Sequence, residues 1–162
     1  MVLILLTLLL QIPQPTKMDC PMHERNMKDQ SLEKRGEHAM GFSQTETTHH
    51  FLLRSDGGVI QVEANKPDDA GNKEMIRMHL RHIAAAFEAG DFDIPVFVHD
   101  TVPPGVPEMK KLQTKISYAY EDTAQGGRVV IATMDKNAKQ AVYKFLRFQI
   151  EEHKTRDGTE SK

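Results

Sequence analysis

Apolar and polar residues alternate in two pairs of short segments, and a pair of adjacent glycines lies inside each pair. Alternation with a period of two is typical of half-buried strands, and a short glycine-rich connection is typical of a hairpin. The pattern therefore predicts two β-hairpins. The strands are expected at residues 49–54, 59–64, 115–120 and 128–133, with a glycine-rich turn at residues 55–58 and a second turn at Gly126-Gly127.

Apolar residues at helical spacing follow each hairpin. Asn72 is the expected cap of a first helix that runs to about Ala89 and ends at Gly90, and residues 136–153 form the last helix. Between them the sequence predicts an extended piece at residues 94–98, a proline-rich loop at residues 102–107 and a short helix. The two halves align as ββα repeats, which predicts an α+β fold: one four-stranded antiparallel sheet with both helices packed on one face.

The ends of the chain differ from this regular part. Residues 1–12 are apolar but too short for a membrane-spanning helix, so they are read as a secretory signal or a short interfacial anchor. Either reading predicts an extracytoplasmic protein, periplasmic or secreted, and the anchor reading predicts that its N-terminus tethers it to a membrane. Residues 13–46 are polar and proline-containing and are expected to be a flexible linker, residues 47–156 the folded domain, and residues 157–162 a disordered tail.

Composition narrows the function classes. The 162 residues carry a net charge of −2 with no long basic cluster, which argues against nucleic-acid binding. The chain has one cysteine, Cys20, so it has neither an internal disulfide nor a four-cysteine zinc site. Its 8 histidines and 9 methionines are ligands that copper and zinc accept, and they direct attention to metal binding.

A first candidate site lies in the predicted linker. Cys20, Pro21, Met22 and His23 resemble the Cys-Pro-Met-His signature of small heavy-metal-binding segments on bacterial metal exporters. A thiolate, a thioether and an imidazole so close together can converge on a soft cation such as Cu(I). The other reading is a flexible linker that contains these residues without binding metal.

A second candidate site lies on the first predicted helix. Met75, His79 and His82 share one flank of its apolar stripe, and the aligned positions of the second helix hold Phe145 and Phe148 where the first has His79 and His82. We therefore expect these two histidines to face a partly buried environment. Imidazoles three residues apart on a helix can bind one metal ion.

Further histidines can join this site. His49 shares a strand face with Phe51, whereas His50 points to the opposite face, so we expect at most one of the two to reach the helices. His99 precedes the proline-rich loop, with Asp100 as a carboxylate that can orient a ligand. His153 is interpreted instead as a cation at the end of the last helix, stabilised there by the helix dipole.

Three function classes remain. The leading hypothesis is a metal-binding protein, for copper rather than zinc, that sequesters or transfers the ion. The second is a small enzyme in which His79, His82, His99 and Asp100 supply acid-base chemistry or an open metal site. The third is a metal-free α+β domain that forms a homodimer through its sheet, because Phe51, Leu52 and Leu53 interrupt the alternation.

Several segments together resemble a family of small, uncharacterised bacterial proteins. Some members of that family are described as aspartate carbamoyltransferases, but the Ser-Thr-Arg-Thr and His-Pro-x-Gln motifs of that enzyme's catalytic chain do not occur here. The four cysteines that bind zinc in its regulatory chain are also missing. The resemblance rests on residues 41–44, 47–51, 76–83, 98–100, 103–107 and 145–150.

Overall fold

The computed structural model describes residues 32–161, and its centre is one antiparallel sheet with the strand order β1-β2-β4-β3. Each hairpin pairs its own two strands, and β2 pairs with β4 to join the hairpins. The predicted α+β fold with a four-stranded sheet is confirmed. The strands are β1 (Thr47–Arg54), β2 (Gly57–Ala64), β3 (Ser117–Thr123) and β4 (Gly126–Ala132).

The helices pack on the sheet face that carries Phe51, Ile60 and Val129, and these side chains are buried. The first repeat's helix packs mainly on β3 and β4, and the second repeat's helix packs on β1 and β2. Each repeat's long helix therefore packs mainly on the hairpin of the other repeat. This arrangement joins the two repeats into one core. The helices are α1 (Leu32–Met40), α2 (Ala70–Glu88), α3 (Asp93–His99), α4 (Val106–Lys111) and α5 (Lys136–Glu152), with a 3-10 turn at Gln113–Lys115.

The glycine pairs are not the hairpin turns. The turns are residues 55–56 and 124–125, and the glycines open β2 and β4 instead. A Cβ on Gly58 would collide with the Leu146 side chain of α5, and a Cβ on Gly126 would collide with the Val62 carbonyl oxygen. Glycine is needed here for close approach between layers and strands rather than for the turn itself.

Helix α2 begins earlier than predicted. Its cap is Asp69 rather than Asn72, because the Asp69 Oδ1 accepts a hydrogen bond of 3.0 Å from the Asn72 backbone N–H. The predicted end is confirmed: Gly90 adopts a left-handed φ of 76° directly after the helix.

The extended piece predicted at residues 94–98 is wrong, because this segment is the helix α3. Pro95 lies in its first turn, where a residue without an N–H leaves no intrahelical hydrogen bond unmade. A short run of proline, valine and phenylalanine has the composition of a strand, and packing against α1 decides in favour of a helix.

Both predicted flexible ends are partly ordered. Within the predicted linker, residues 32–40 form α1, Met40 and Phe42 are buried in the core, and the Arg35 Nε donates to the Val98 carbonyl oxygen at 2.8 Å. In the predicted tail, the Asp157 carboxylate accepts a hydrogen bond of 3.0 Å from the Phe51 backbone N–H. The linker and tail predictions are wrong for these residues, since scattered apolar or anchoring side chains suffice to attach a short segment to an existing core.

Candidate functional site

A small cavity of about 70 Å³ lies between the sheet and the helices. Four imidazoles line it, and each comes from a different part of the fold: His49 from β1, His79 from α2, His99 from the end of α3, and His153 from the cap of α5. We call these four residues the imidazole cluster. The rest of the wall is apolar except for the Gln149 side chain, so it offers the imidazoles few hydrogen-bond partners.

His49 reaches the cavity because β1 alternates its side chains between the two faces of the sheet. Its ring is stacked on Phe42 at 6.0 Å and on His153 at 5.4 Å between ring centroids. Its Nε2 atom is buried without a hydrogen-bond partner. Burial, followed by the proximity of His153 and His79, lowers the pKa of His49 from 6.5 to about 3.

His79 lies on the flank of α2 next to the fully buried Leu80. Its ring contacts the edge of Phe42, with 5.6 Å between the centroids. Burial is the main reason that the pKa of His79 falls to about 4, and the neighbouring His82 adds to the effect. The predicted partly buried environment of this residue is therefore present.

His99 is the most deeply placed member of the cluster, with 1% of its side chain exposed. Its Nε2 lies 2.9 Å from the Gln149 Oε1, whereas its Nδ1 is buried without a hydrogen-bond partner. Burial lowers the pKa of His99, and the hydrogen bond to Gln149 and the carboxylate of Glu152 oppose that effect.

His153 is the member that the sequence analysis missed. Its ring stands perpendicular to His99 with 5.2 Å between the centroids, and burial followed by repulsion from His99 lowers its pKa to about 4. A cation at the helix end is therefore the wrong interpretation of His153. Its spacing from Leu146 and Gln149 places it on the buried side of α5, and that periodicity was the signal for a core position.

The other predicted residues that the structure describes lie outside the cavity wall. His82 is exposed on α2, so the expected partly buried environment is wrong for this residue. Asp100 is an exposed residue with a left-handed φ of 52° after α3. Met75 is partly buried and packs against the core. His50 lies on the opposite sheet face, where its Nδ1 is 3.0 Å from the Asp157 Oδ1. Cys20, Met22 and His23 lie outside the described residues.

Solvent reaches the cluster beside β1. A cleft of about 460 Å³ lies between β1 and the segment after α5, and both His49 and His153 line this cleft as well as the inner cavity. These two rings therefore form the boundary between the cavity and the outside.

The cluster is not assembled as a metal site in this conformation. Within residues 32–161, no three His, Cys, Asp or Glu side chains are placed to hold one metal ion. The near-parallel rings of His49 and His153, with 15° between their planes, explain part of this result, because nitrogens in parallel planes do not point at a common centre.

Comparison with protein-family models, curated proteins and solved structures finds no match to this chain. The functional argument therefore rests on the geometry of the cluster. A separate finding concerns membranes: none of the helices within residues 32–161 is long and apolar enough to cross one.

Proposed function

We propose that this protein is an extracytoplasmic metal-binding protein, for copper in preference to zinc, that sequesters or transfers the ion, and that the imidazole cluster supplies its ligands in the folded domain. The observation that supports this proposal is the convergence of four imidazoles from four separate elements on one buried cavity. Burying four histidines together is unfavourable for packing alone, because each imidazole leaves water and two of their nitrogens, His49 Nε2 and His99 Nδ1, are buried without a hydrogen-bond partner.

The spacing of the rings fits a shared ion. A metal–nitrogen bond of 2.0–2.1 Å puts the ion about 3.2 Å from an imidazole centroid, so two rings at a tetrahedral angle lie about 5.2 Å apart. The centroids of His99 and His153 are 5.2 Å apart, and those of His49 and His153 are 5.4 Å apart. Binding then requires that these rings turn so that one nitrogen of each points at the ion.

The protonation state of the cluster also favours metal binding. An imidazole binds a metal only in its neutral form, so protons compete with the ion at an exposed histidine near its ordinary pKa of 6.5. The lowered pKa values of His49, His79 and His153 keep these rings neutral at neutral pH. Proton competition at the cluster is therefore weak above about pH 5.

Met40 supports copper over zinc. Its side chain, which belongs to α1, lines the same cavity as the four imidazoles. A thioether is a soft ligand that suits Cu(I), whereas zinc sites in proteins use thiolate, imidazole and carboxylate. The Cys20, Met22 and His23 segment, which precedes α1 in the sequence, adds further soft ligands to this proposal.

The test is a comparison of cluster variants with a histidine variant outside the cluster. We expect untagged protein to bind Cu(II) and Cu(I) more tightly than Zn(II), and His99→Ala and His153→Ala each to weaken copper binding by about tenfold or more. His82→Ala is the matched control, since His82 is exposed on α2, and it should change the affinity less than about threefold. Binding unchanged in both cluster variants would overturn the assignment of the cluster.

A metal-free interaction domain is the second candidate, and the open face of the sheet favours it. Leu52, Val59, Val130 and Ala119 lie side by side across that face; Val59 is already buried at 3% exposure, whereas Leu52 is 39% exposed. This row would be covered in a homodimer. Protein that contains no copper or zinc after purification, binds neither in titration and sediments as a dimer would favour this candidate over metal binding.

A further inference from the structure

One hydrogen bond between buried side chains determines which nitrogen of His99 is free. The Gln149 side chain is buried, with the residue 4% exposed, and its Oε1 lies 2.9 Å from the His99 Nε2. With the Gln149 amide oxygen on this side, the Nε2–H of His99 is the donor, because an amide oxygen only accepts hydrogen bonds. A neutral imidazole carries one N–H, and the Nδ1 of His99 therefore keeps its lone pair.

That lone pair faces a carboxylate instead of a hydrogen-bond donor. The His99 Nδ1 is buried without a hydrogen-bond partner, and the Glu152 Oε2 lies 3.8 Å from it. An ionised carboxylate has no proton to donate, so two electron-rich atoms oppose each other here. A cation between them would turn this repulsion into two bonds, and two bonds of about 2 Å each can bridge a gap of this size.

We propose that the His99 Nδ1 and the Glu152 carboxylate are two ligands of the bound metal ion, and that Gln149 is the positioning residue that leaves this nitrogen free. This inference rests on the proposed function. It extends the ligand set beyond the imidazole cluster to a side chain that the sequence analysis did not select.

The position of Glu152 gives the ion a route and a counter-charge. Glu152 is the last residue of α5 and its side chain is 43% exposed, so it connects the deeply buried His99 with solvent. His153 follows directly in the sequence, and its ring lies 5.2 Å from that of His99. A carboxylate also offsets the charge of a dication that neutral imidazoles alone leave uncompensated.

If the Gln149 amide had the opposite orientation, the other nitrogen of His99 would carry the proton. If its NH2 group faced the His99 Nε2, that nitrogen would accept, and the proton would move to Nδ1 and point at Glu152. His99 and Glu152 would then form a hydrogen-bonded pair with no lone pair for a metal.

Nitrogen-15 NMR of the metal-free protein separates the two orientations. We expect long-range proton–nitrogen correlations near neutral pH to show His99 protonated on Nε2 in the wild type and in Gln149→Glu, whose carboxylate still accepts. In Gln149→Leu the acceptor is lost, and we expect the Nδ1–H form to appear. Protonation of wild-type His99 on Nδ1 would overturn the inference, and this readout does not depend on metal binding.

Copper titration of variants at two adjacent glutamates tests whether Glu152 is the second ligand. Glu152→Gln should weaken Cu(II) binding by about tenfold or more, whereas Glu151→Gln, a neighbouring exposed carboxylate on the same helix, should change it less than about twofold. Full affinity in Glu152→Gln together with loss in His153→Ala would overturn the inference and leave the proposed function intact. Wild-type protein that binds no ion would overturn both.

Discussion

At the scale of single residues, the two repeats place different side chains at the same position of their long helices. Phe145 of α5 corresponds to His79 of α2, and both line the cavity. Phe145 is 1% exposed and contacts Phe87 and Phe92, which is ordinary core packing. The imidazole at the equivalent place gains less from burial, so stability alone does not explain its presence.

The substitution His79→Phe should therefore stabilise the protein. A phenyl ring removes the cost of burying a polar ring and can extend into the cavity of about 70 Å³. We expect the free energy of unfolding, measured by chemical denaturation at neutral pH, to rise by about 1 kcal/mol while copper binding weakens. A fall in stability would show that His79 packs its site better than an aromatic core residue does.

At the scale of the elements, the sequence predicted the strands, the two long helices and their ββα order, because these elements have strong periodicity. It could not predict α1 or α3, since these short helices exist through contacts with each other and with the core. The candidate site could likewise be predicted only in part, because some of its residues stand in local patterns and others come together only through tertiary contacts. His49, His79 and His99 were selected from local patterns, whereas Gln149, Glu152 and His153 acquire their roles only when the end of α5 lies beside α3.

The segment after α5 is attached to the sheet through Asp157. This carboxylate accepts hydrogen bonds from the Phe51 N–H at the edge of β1 and from His50, and it forms one wall of the cleft beside the cluster. Asp157→Ala should lower the free energy of unfolding by about 1–3 kcal/mol, because it leaves a partly buried backbone donor without its acceptor.

Hydrogen exchange locates this effect. The Phe51 amide should exchange faster in Asp157→Ala, whereas Glu160→Ala, which removes an exposed carboxylate of the same segment, should leave it unchanged. Equal exchange rates at Phe51 in the wild type and Asp157→Ala would mean that the carboxylate does not hold the segment on β1.

At the scale of the whole molecule, the imidazole cluster couples folding to pH. His49, His79 and His153 have pKa values of about 3, 4 and 4 in the folded protein, against 6.5 when unfolded. Between pH 6.5 and about 4 the unfolded chain therefore binds more protons than the folded one, and stability rises with pH across that window. The contribution is fully present above pH 6.5 and is lost as the pH falls toward 4.

The free energy of unfolding should depend steeply on pH, because the three histidines take up protons on unfolding in the same pH range. Each group that takes up one proton on unfolding contributes about 1.4 kcal/mol per pH unit, so the cluster contributes at most about 4 kcal/mol per pH unit. From pH 6.5 to pH 4 the cluster therefore removes at most about 10 kcal/mol, so a domain stable by about 5–10 kcal/mol should unfold within this window, which denaturant midpoints measured between about pH 8 and pH 4 would detect. His79→Phe should reduce the slope by about a third, whereas His82→Ala removes only the smaller contribution of that ring to the lowered pKa of His79 and should change the slope far less. Bound copper should move the unfolding to lower pH, because the ion binds only the folded protein with neutral imidazoles. A stability that stays constant from neutral pH to pH 5 would contradict the burial of this cluster.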